Sequence, residues 1–239
     1  MKKSVEKVLK IILIIFAALC FLCDIVLVTF AVQGAVMYKT AVSGNPVKNA
    51  AQEIRARGDY VSYDELPEFY IKAVISVEDR DFMRHGGVDI SAICRALIYD
   101  IKTMSLEQGG STITQQLAKN LYFTSEKRPD RKFAEIYAAI ELEHKLSKQD
   151  IFALYANTIY FGDGYYGISE AAEGYFGKTA AELDEYECAM LAGIPQAPSV
   201  YCEINSAPAN ARLREVLSAM TESGVIDASQ ADEIAARAG

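Results

Sequence analysis

Histidine and cysteine, the residues that most often build metal sites and covalent frameworks, are scarce in this sequence. There are only two histidines in 239 residues, His85 and His144, which argues against a zinc site of histidine and cysteine ligands. The cysteines are five in number and lack ligand-like spacing, which argues against a disulfide scaffold. They are Cys20, Cys23, Cys94, Cys188 and Cys202.

Excess positive charge and strand patterns are also missing. The formal net charge of -8 argues against nonspecific binding to nucleic acid, so we expect no nucleic-acid partner. Apolar residues recur at steps of three and four between residues typical of helix ends, and the sequence therefore predicts a mainly α fold. The predicted helices cover about residues 68–84, 89–102, 111–120, 129–146, 148–160, 168–176 and 183–192, with one or two more in 207–238.

A long apolar run near the N-terminus predicts a membrane anchor. Residues 11–32 are almost wholly apolar, which matches the roughly 20 residues that a helix needs to cross a bilayer. Four lysines precede the run, so the positive-inside rule places the N-terminus in the cytoplasm. A cleaved signal peptide is the weaker alternative, because the run is long and no small-residue cleavage site follows. The sequence thus divides into a tail (1–10), an anchor (11–33), a stalk (34–59), a domain (60–205) and a C-terminal helical extension (206–239). The polar segment that we assign to the stalk is alternatively a first short helix.

Residues 71–85 place an acidic side chain on an apolar helix face. The stripe that contains Ile71, Val74 and Phe82 also contains Glu78 and His85. A carboxylate on a half-buried face loses hydration, so its pKa rises and it is suited to accept a proton near neutral pH. The alternative is that Glu78 pairs with an arginine at the edge of the domain, and the pattern alone does not decide between them. We expect His85 to be structural.

A glycine turn before the third predicted helix indicates an anion site. Gly109 and Gly110 precede Thr112 and Gln115, which have the spacing of a capping box. The free N–H groups and the positive dipole end of such a helix suit a phosphate or pyrophosphate, with Lys119 one turn further along. The alternative is simple capping, with the glutamines and the lysine on a solvated surface.

Residues 127–132 form a cationic cluster in an otherwise acidic chain. Beside an anion-binding helix, the cluster indicates a site for a leaving phosphate. The alternative for Arg131 is a surface pair with Glu135, one helical turn away. The basic residues concerned are Lys127, Arg128, Arg131 and Lys132, together with Lys119.

Taken together, these segments resemble the family 51 glycosyltransferases, the peptidoglycan transglycosylase domains of class A penicillin-binding proteins and of monofunctional enzymes. Five motifs occur in the order typical of that family, across about residues 60–201. They lie at residues 78–86, 109–120, 131–135, 154–162 and 192–199. The resemblance implies a mainly α, lysozyme-like domain behind one transmembrane helix.

The resemblance also implies roles for individual residues. Glu78 matches the catalytic glutamate that takes the proton from the acceptor hydroxyl, and Glu135 matches a second essential glutamate near the leaving group of the donor. Lys119 matches the lysine that contacts the donor pyrophosphate. Family members often have arginine at the position of Lys127, so the resemblance leaves open whether Lys127 or Arg128 contacts phosphate. The implied substrate-binding positions are Lys119, Gln115, Gln116, Ser111, Thr112, Asp79, Phe82, Lys127, Arg128 and Arg131.

The implied reaction is polymerisation of lipid II into β-(1→4)-linked glycan strands, with inversion and release of undecaprenyl pyrophosphate. Expected partners are lipid II, the growing strand, the bilayer, and transpeptidases with other wall-synthesis proteins. The resemblance leaves open a divalent cation, Mg or Mn, and implies no organic cofactor. The expected location is the bacterial cell membrane, with a single pass and the catalytic domain outside.

Two alternatives belong to other functional classes. A lysozyme-like hydrolase also carries a glutamate in an α-rich cleft, but it has no pyrophosphate for a cationic cluster to stabilise. A non-catalytic scaffold of a wall-synthesis complex would not need Glu78, Lys119 and Glu135 together. The sequence ends about 40 residues past the fifth motif, fewer than a transpeptidase domain needs, so we expect a monofunctional enzyme.

Overall fold

The computed structural model describes residues 2–103, 110–124, 126 and 128–238, and helices dominate that part of the chain. The prediction of a mainly α fold is confirmed. The helices are α1 (Lys2–Gly44), α2 (Val47–Arg55), α3 (Glu68–Glu78), α4 (Ile90–Thr103), α5 (Ile113–Tyr122), α6 (Pro129–Lys145), α7 (Lys148–Ala156), α8 (Ile168–Phe176), α9 (Glu185–Gly193), α10 (Pro198–Tyr201), α11 (Ala207–Glu222) and α12 (Ala228–Ala235). Short 3-10 turns lie at Tyr63–Glu65, Ala180–Glu182, Ile194–Gln196 and Ala236–Ala238.

Helix α1 is long and apolar enough to cross a membrane, and its apolar side chains are exposed along the predicted anchor. It continues beyond the anchor and packs closely on α6. At Gly34 an added Cβ would lie 2.6 Å from Phe133 Cβ and 2.7 Å from the carbonyl oxygen of Asp130. Only glycine allows the two helices to approach this closely, so α1 is part of the domain packing as well as an apolar span.

Residues 34–59, predicted to be a stalk or a first short helix, are largely helical. The segment contains the last turns of α1 and the whole of α2. Val47, Ala51 and Ile54 lie on one face of α2 and are buried in the main core. Their spacing is that of an amphipathic helix, a pattern that the polar residues between them obscured.

The segment predicted to be a C-terminal helical extension, 206–239, contains α11 and α12, and both pack on the rest of the domain. Helix α11 packs against α3 and α9, and its Leu213, Val216 and Met220 are buried in the same core. Helix α12 packs in turn on α11. Residue 205 therefore marks no structural boundary.

Helix α3 ends at Glu78, not near residue 84 as predicted. Asp79 leaves the helical region with φ -158° and ψ 77°. Its carboxylate accepts a hydrogen bond from the N–H of Ile113 at 3.0 Å, so the chain turns toward the start of α5. Helix α7 likewise ends earlier than predicted, at Ala156, because the side chain of Asn157 bonds Val61 on the neighbouring segment.

The predicted helix starts are confirmed where capping residues were recognised. Thr112 and Gln115 form a complete capping box on α5, and Ser147 and Asp150 form one on α7. Asp89 accepts a hydrogen bond from Ala92 N at 2.9 Å at the start of α4. Each of these helix starts is therefore held by side chains within three residues of one another.

Candidate active site

Glu78 is the last residue of α3, and its side chain is 13% exposed. Gln116 Nε2 on α5 donates to Glu78 Oε2 at 2.8 Å. Arg212 Nη2 on α11 donates to Glu78 Oε1 at 3.2 Å. Each carboxylate oxygen therefore has one donor, and both donors come from helices distant in sequence.

Arg212 is the partner of Glu78 that sequence reasoning missed. Its side chain is only 7% exposed, and it also donates to the carbonyl oxygen of Gly193 at 3.2 Å and to Glu215 at 2.9 Å. The sequence left open a pairing of Glu78 with an arginine, and the structure shows such a pair in the interior of the site. The sequence gave one indication of this role, which is that Arg212 occupies a position in a mostly apolar helical pattern. It could not show the pairing, because Arg212 and Glu78 lie 134 positions apart.

The pKa of Glu78 is raised above its ordinary value, mainly because burial penalises the charged carboxylate. The hydrogen bond from Gln116 and the positive charges of Arg212 and Lys119 lower it, and the neighbouring Asp79 raises it. The net result is a carboxylate that binds a proton more strongly than an exposed glutamate. Such a group is suited to general base catalysis near neutral pH.

Asp79, predicted to bind substrate, has partners within the protein. Its side chain is 3% exposed, and its two oxygens lie 2.8 and 2.9 Å from His85 Nε2. His85 Nδ1 accepts from the N–H of Gly87 at 3.2 Å, which makes it structural as expected. Asp79 thus connects the turn after α3 to the start of α5.

Phe82, predicted to bind substrate, is fully buried. Its ring packs near Phe152, with centroids 6.1 Å apart, and Lys148 Nζ lies 4.4 Å from its centroid. The structure places Phe82 in the core that supports the turn after α3, and a role in binding substrate stays a prediction.

Thr112 and Gln115 are each 2% exposed and bond one another in the capping box of α5. Thr112 Oγ1 also donates to the carbonyl oxygen of Gly87 at 2.7 Å. The structure therefore gives Gln115 the capping role that was the alternative to anion binding. Gly109, the first glycine of the predicted anion turn, lies outside the described residues.

Two adjoining cavities meet at this site. One, of about 880 Å³, is lined by Glu78, Ser111, Gln116 and Arg212. The other, of about 760 Å³, is lined by Lys119. Gln196, from the fifth motif, lines both cavities. Gln116 and Lys119 lie one turn apart on α5, so this helix separates a region that contains the base from one that contains a cation.

Glu135 lies on α6 and is 3% exposed. Arg131, one helical turn earlier, donates to its Oε1, and Lys132 Nζ lies 3.2 Å from its Oε2. Lys132 Nζ also donates to Ser111 Oγ at 2.6 Å. The ion pair with Arg131 was foreseen, but it is almost buried, and Lys132 links Glu135 to Ser111 in the cavity of Glu78.

Arg128 lies apart from these residues. It bonds Asp130 at 2.6 and 3.1 Å and lines a different cavity, of about 670 Å³, against α1. Lys127, its alternative as a phosphate contact, lies outside the described residues. The structure thus brings Glu135, Arg131 and Lys132 together and places Lys119 and Arg128 in separate cavities.

Comparison with known proteins identifies the family. A family model described as Transglycosylase matches residues 43–221. This chain belongs to the transglycosylase family. Penicillin-binding protein 1A of Aquifex aeolicus (strain VF5) is 45% identical over 175 residues, which are 73% of this chain and 24% of the relative. Penicillin-binding protein 1A of Neisseria gonorrhoeae is 43% identical over 179 residues, 74% of this chain and 22% of the relative.

Membership of the transglycosylase family confirms the resemblance inferred from the five motifs. The matched residues include α2 and most of α11, in agreement with their packing in the core. The chain spans less than a quarter of the length of these two relatives.

A divalent cation, left open by the resemblance, finds no ready ligand set in the part of the chain that the structure describes. No group of three histidine, cysteine, aspartate or glutamate side chains there could hold a metal ion. The carboxylates of Glu78 and Glu135 are each already bonded by cationic side chains. We therefore derive no step through a metal.

Proposed function

We propose that this member of the transglycosylase family is a peptidoglycan glycosyltransferase that polymerises lipid II. The observation that carries the proposal is the buried carboxylate of Glu78, with its raised pKa, at the wall of a cavity that adjoins a cation-lined one. A base and a cationic region separated by one helix are what transfer of a sugar from a pyrophosphate requires. A hydrolase has no need of the second region.

Glu78 acts on the acceptor in this proposal. Its carboxylate takes the proton from the C4 hydroxyl of the acceptor N-acetylglucosamine, and that oxygen attacks the anomeric carbon of the donor N-acetylmuramic acid. The bond from that carbon to the pyrophosphate oxygen breaks, the configuration inverts, and Glu78 later loses its proton to solvent. Gln116 and Arg212 hold the carboxylate in one orientation throughout.

The leaving undecaprenyl pyrophosphate departs with negative charge, which basic side chains stabilise. Lys119 lies near enough to Glu78 to lower its pKa, which supports a place beside the reacting groups. Arg131 and Lys132 flank Glu135 and contribute further positive charge next to Ser111. Arg128 would contact the donor only where the substrate also reaches the α1 side of α6.

The membrane helix supports a lipid-linked substrate. Tethering enzyme, donor and acceptor to one surface raises their encounter. In the orientation that the N-terminal lysines favour, the domain lies outside the cell, where lipid II is polymerised. Transpeptidases and other wall-synthesis proteins are the expected partners of such an enzyme.

The test is incubation of the full chain, purified in detergent, with labelled lipid II, followed by electrophoresis of the products. We expect a ladder of glycan polymer and release of undecaprenyl pyrophosphate. No polymer across a range of detergents, with and without Mg or Mn, would overturn the proposal. Release of soluble fragments from purified peptidoglycan would instead identify a glycan-cleaving enzyme.

A further inference from the structure

Two tyrosine hydroxyls are buried in the core and have no partner in the protein. Tyr70 on α3 and Tyr155 on α7 are both fully buried. Neither hydroxyl has a hydrogen-bond partner among the residues that the structure describes. A buried hydroxyl that bonds nothing destabilises a fold, and nearly all such groups in proteins are bonded by another group or by water. The pair therefore points to a ligand inside the core.

The two tyrosines belong to one aromatic cluster beneath the end of α3. The ring of Phe152 contacts both, with centroids 6.3 Å from Tyr70 and 6.2 Å from Tyr155. Phe152 also packs against Phe82, from the turn that follows α3. Tyr70 itself lies about two helical turns before Glu78 on α3. The cluster thus supports the backbone that carries the candidate base.

The hydroxyl of Tyr155 lies within the electrostatic reach of Glu78. Burial raises the pKa of Tyr155 well above its ordinary value, and the negative charge of Glu78 raises it further. Tyr70 and Asp79 act in the same direction, whereas the positive charge of Arg212 opposes them. Tyr155 therefore keeps its proton at neutral pH and is a hydrogen-bond donor on the interior side of the carboxylate.

Tyr70 has a similar environment. Burial raises its pKa, and Cys188 on α9 and Glu78 raise it further. Cys188 is itself buried, and its thiol contacts the carbonyl oxygen of Leu183 at 3.7 Å, so it offers Tyr70 no hydrogen bond. Two protonated hydroxyls thus share the region behind Glu78.

The carboxylate of Glu78 can accept a further hydrogen bond. Each oxygen accepts one bond from a described residue, Oε2 from Gln116 on α5 and Oε1 from Arg212 on α11. A carboxylate oxygen has two lone pairs, so both oxygens keep one. The charges that act on Glu78 are those of Arg212, Asp79 and Lys119. The hydroxyls on α3 and α7 lie on a side that neither donor occupies.

One water molecule would satisfy all of these groups. Buried waters typically make about three hydrogen bonds to polar groups that are otherwise unpaired. We propose that the hydroxyls of Tyr70 and Tyr155 bind one buried water, that this water donates a hydrogen bond to the carboxylate of Glu78, and that Tyr155 is thereby a positioning residue for the base. The proposal rests on the role of Glu78 in the proposed function and adds a support from the protein interior.

The bound water has a defined effect on the base. Gln116, Arg212 and the water hold the carboxylate from three helices, which leaves the cavity side for the acceptor hydroxyl. A hydrogen bond donated to the charged form of a carboxylate lowers its pKa. The water therefore opposes burial, and its loss should make Glu78 bind a proton more strongly.

Titration of Glu78 tests the water site without substrate. The full chain in detergent is labelled with glutamate that carries 13C at the side-chain carboxyl, and the NMR signal of Glu78 is assigned by its absence from Glu78→Gln. Tyr155→Phe removes only the hydroxyl, and the proton affinity of Glu78 should rise about tenfold, the effect of one hydrogen bond to a charged group. An unchanged titration overturns the proposal.

Tyr122→Phe is the matched control for this titration. The hydroxyl of Tyr122, on α5, is also buried without a partner among the described residues. Its charged neighbours are Glu141 and Glu53, and Glu78 is not among the groups that raise its pKa. Tyr122→Phe should leave the titration of Glu78 in place, and a shift equal to that of Tyr155→Phe overturns the proposal.

Tyr70→Phe tests whether the two tyrosines share one water. It should shift the titration in the same direction, and the double variant should shift it no further than Tyr155→Phe does, because loss of either hydroxyl releases the water. Each single variant should also unfold at a lower temperature. Additive shifts overturn the shared site, and so does a higher unfolding temperature, which is the result expected when an unpaired hydroxyl is removed.

The pH profile of lipid II polymerisation separates this proposal from the proposed function. Glu78 must be deprotonated to act, so the acid limb should move to higher pH in Tyr155→Phe and stay in place in Tyr122→Phe. If the NMR titration shifts as expected but the unaltered protein makes no polymer, the water site stands and the proposed polymerase function fails. If polymer forms and the acid limb of Tyr155→Phe does not move, the polymerase function stands and the water site is overturned.

Discussion

Glu78 and Glu135 are both buried glutamates that bind basic side chains, but their surroundings differ in origin. Glu78 is bonded by donors from α5 and α11, both far away in sequence. Glu135 is bonded by Arg131 and Lys132 from the preceding turn of its own helix. The first site exists only when three helices have packed, whereas the second forms with one helix.

This difference separates the two chemical roles. Glu78 has one amide and one arginine, so its carboxylate is oriented while burial still raises its pKa. Glu135 has two cations beside one carboxylate, which leaves a net positive charge on that part of α6. A group with a raised pKa suits proton transfer, and a locally cationic helix suits an anionic leaving group.

The largest expected effect comes from Glu78→Gln, which keeps the shape of the side chain and removes the base. Polymerisation of lipid II should fall by roughly 10²–10⁴-fold, the usual contribution of a general base. The measurement is the initial rate of polymer formation, with circular dichroism to show that the helices persist. A rate within tenfold of the unaltered protein would remove Glu78 from its role as base.

Glu135→Gln should have a smaller effect, because no proton is transferred to Glu135 in the proposed reaction. Loss of one buried partner of Arg131 and Lys132 should lower the rate by about 10- to 100-fold, as expected when a charge-assisted contact is removed. The pH at which the rate falls on the acid side should stay unchanged. A shift of that acid limb would contradict the division of roles between the two glutamates.

Gly34→Ala tests whether the stability of the domain depends on the close packing of α1 against α6. The added methyl would lie 2.6–2.9 Å from atoms of α6, so the helices must move apart. We expect a loss of about 1–3 kcal/mol in stability, typical of overpacking, measured by thermal unfolding in detergent. Gly44→Ala on the same helix is the matched control, because nothing lies within 4 Å of its added Cβ. Equal unfolding temperatures for the two variants would show that the close approach at Gly34 does not constrain α6.

The sequence predicts well what depends on neighbouring residues. The capping boxes of α5 and α7 and the start of α6 follow from side chains within a few positions, and all are present. The inward position of Glu78 follows from the apolar stripe of α3 in the same way. Local hydrogen bonds and helical periodicity are sufficient for these features.

Contacts between distant segments could not be predicted in this way. The end of α3 depends on a bond between Asp79 and Ile113, 34 positions away. Gln115 and Gln116 are adjacent, yet one completes a cap and the other bonds Glu78. Which of the two points into the cavity depends on how α5 packs, because neighbouring helical residues point about 100° apart. The role of Arg212 was missed for the same reason.

The smallest effect expected on the rate comes from Arg212→Gln, and it is a change in pH dependence. Glu78 must be deprotonated to act, so the rate falls as pH decreases through its pKa. The positive charge of Arg212 lowers that pKa, so its removal should raise the pKa further and move the acid limb to higher pH. The loss should be about tenfold near neutral pH and should diminish as pH rises, measured as a pH profile of polymerisation.

Glu215→Gln provides the control for this last experiment. Glu215 bonds the same guanidinium from the solvent side, where it is 61% exposed, while the bond from Arg212 to Glu78 remains. Its removal takes away only a partly exposed ion pair, which is worth little, so the acid limb should stay in place. If Glu215→Gln moved the limb as far as Arg212→Gln but toward lower pH, the effect would arise from the net charge near α11 and not from the bond between Arg212 and Glu78. A shift confined to Arg212→Gln would show that one arginine from a helix predicted to lie outside the domain adjusts the base.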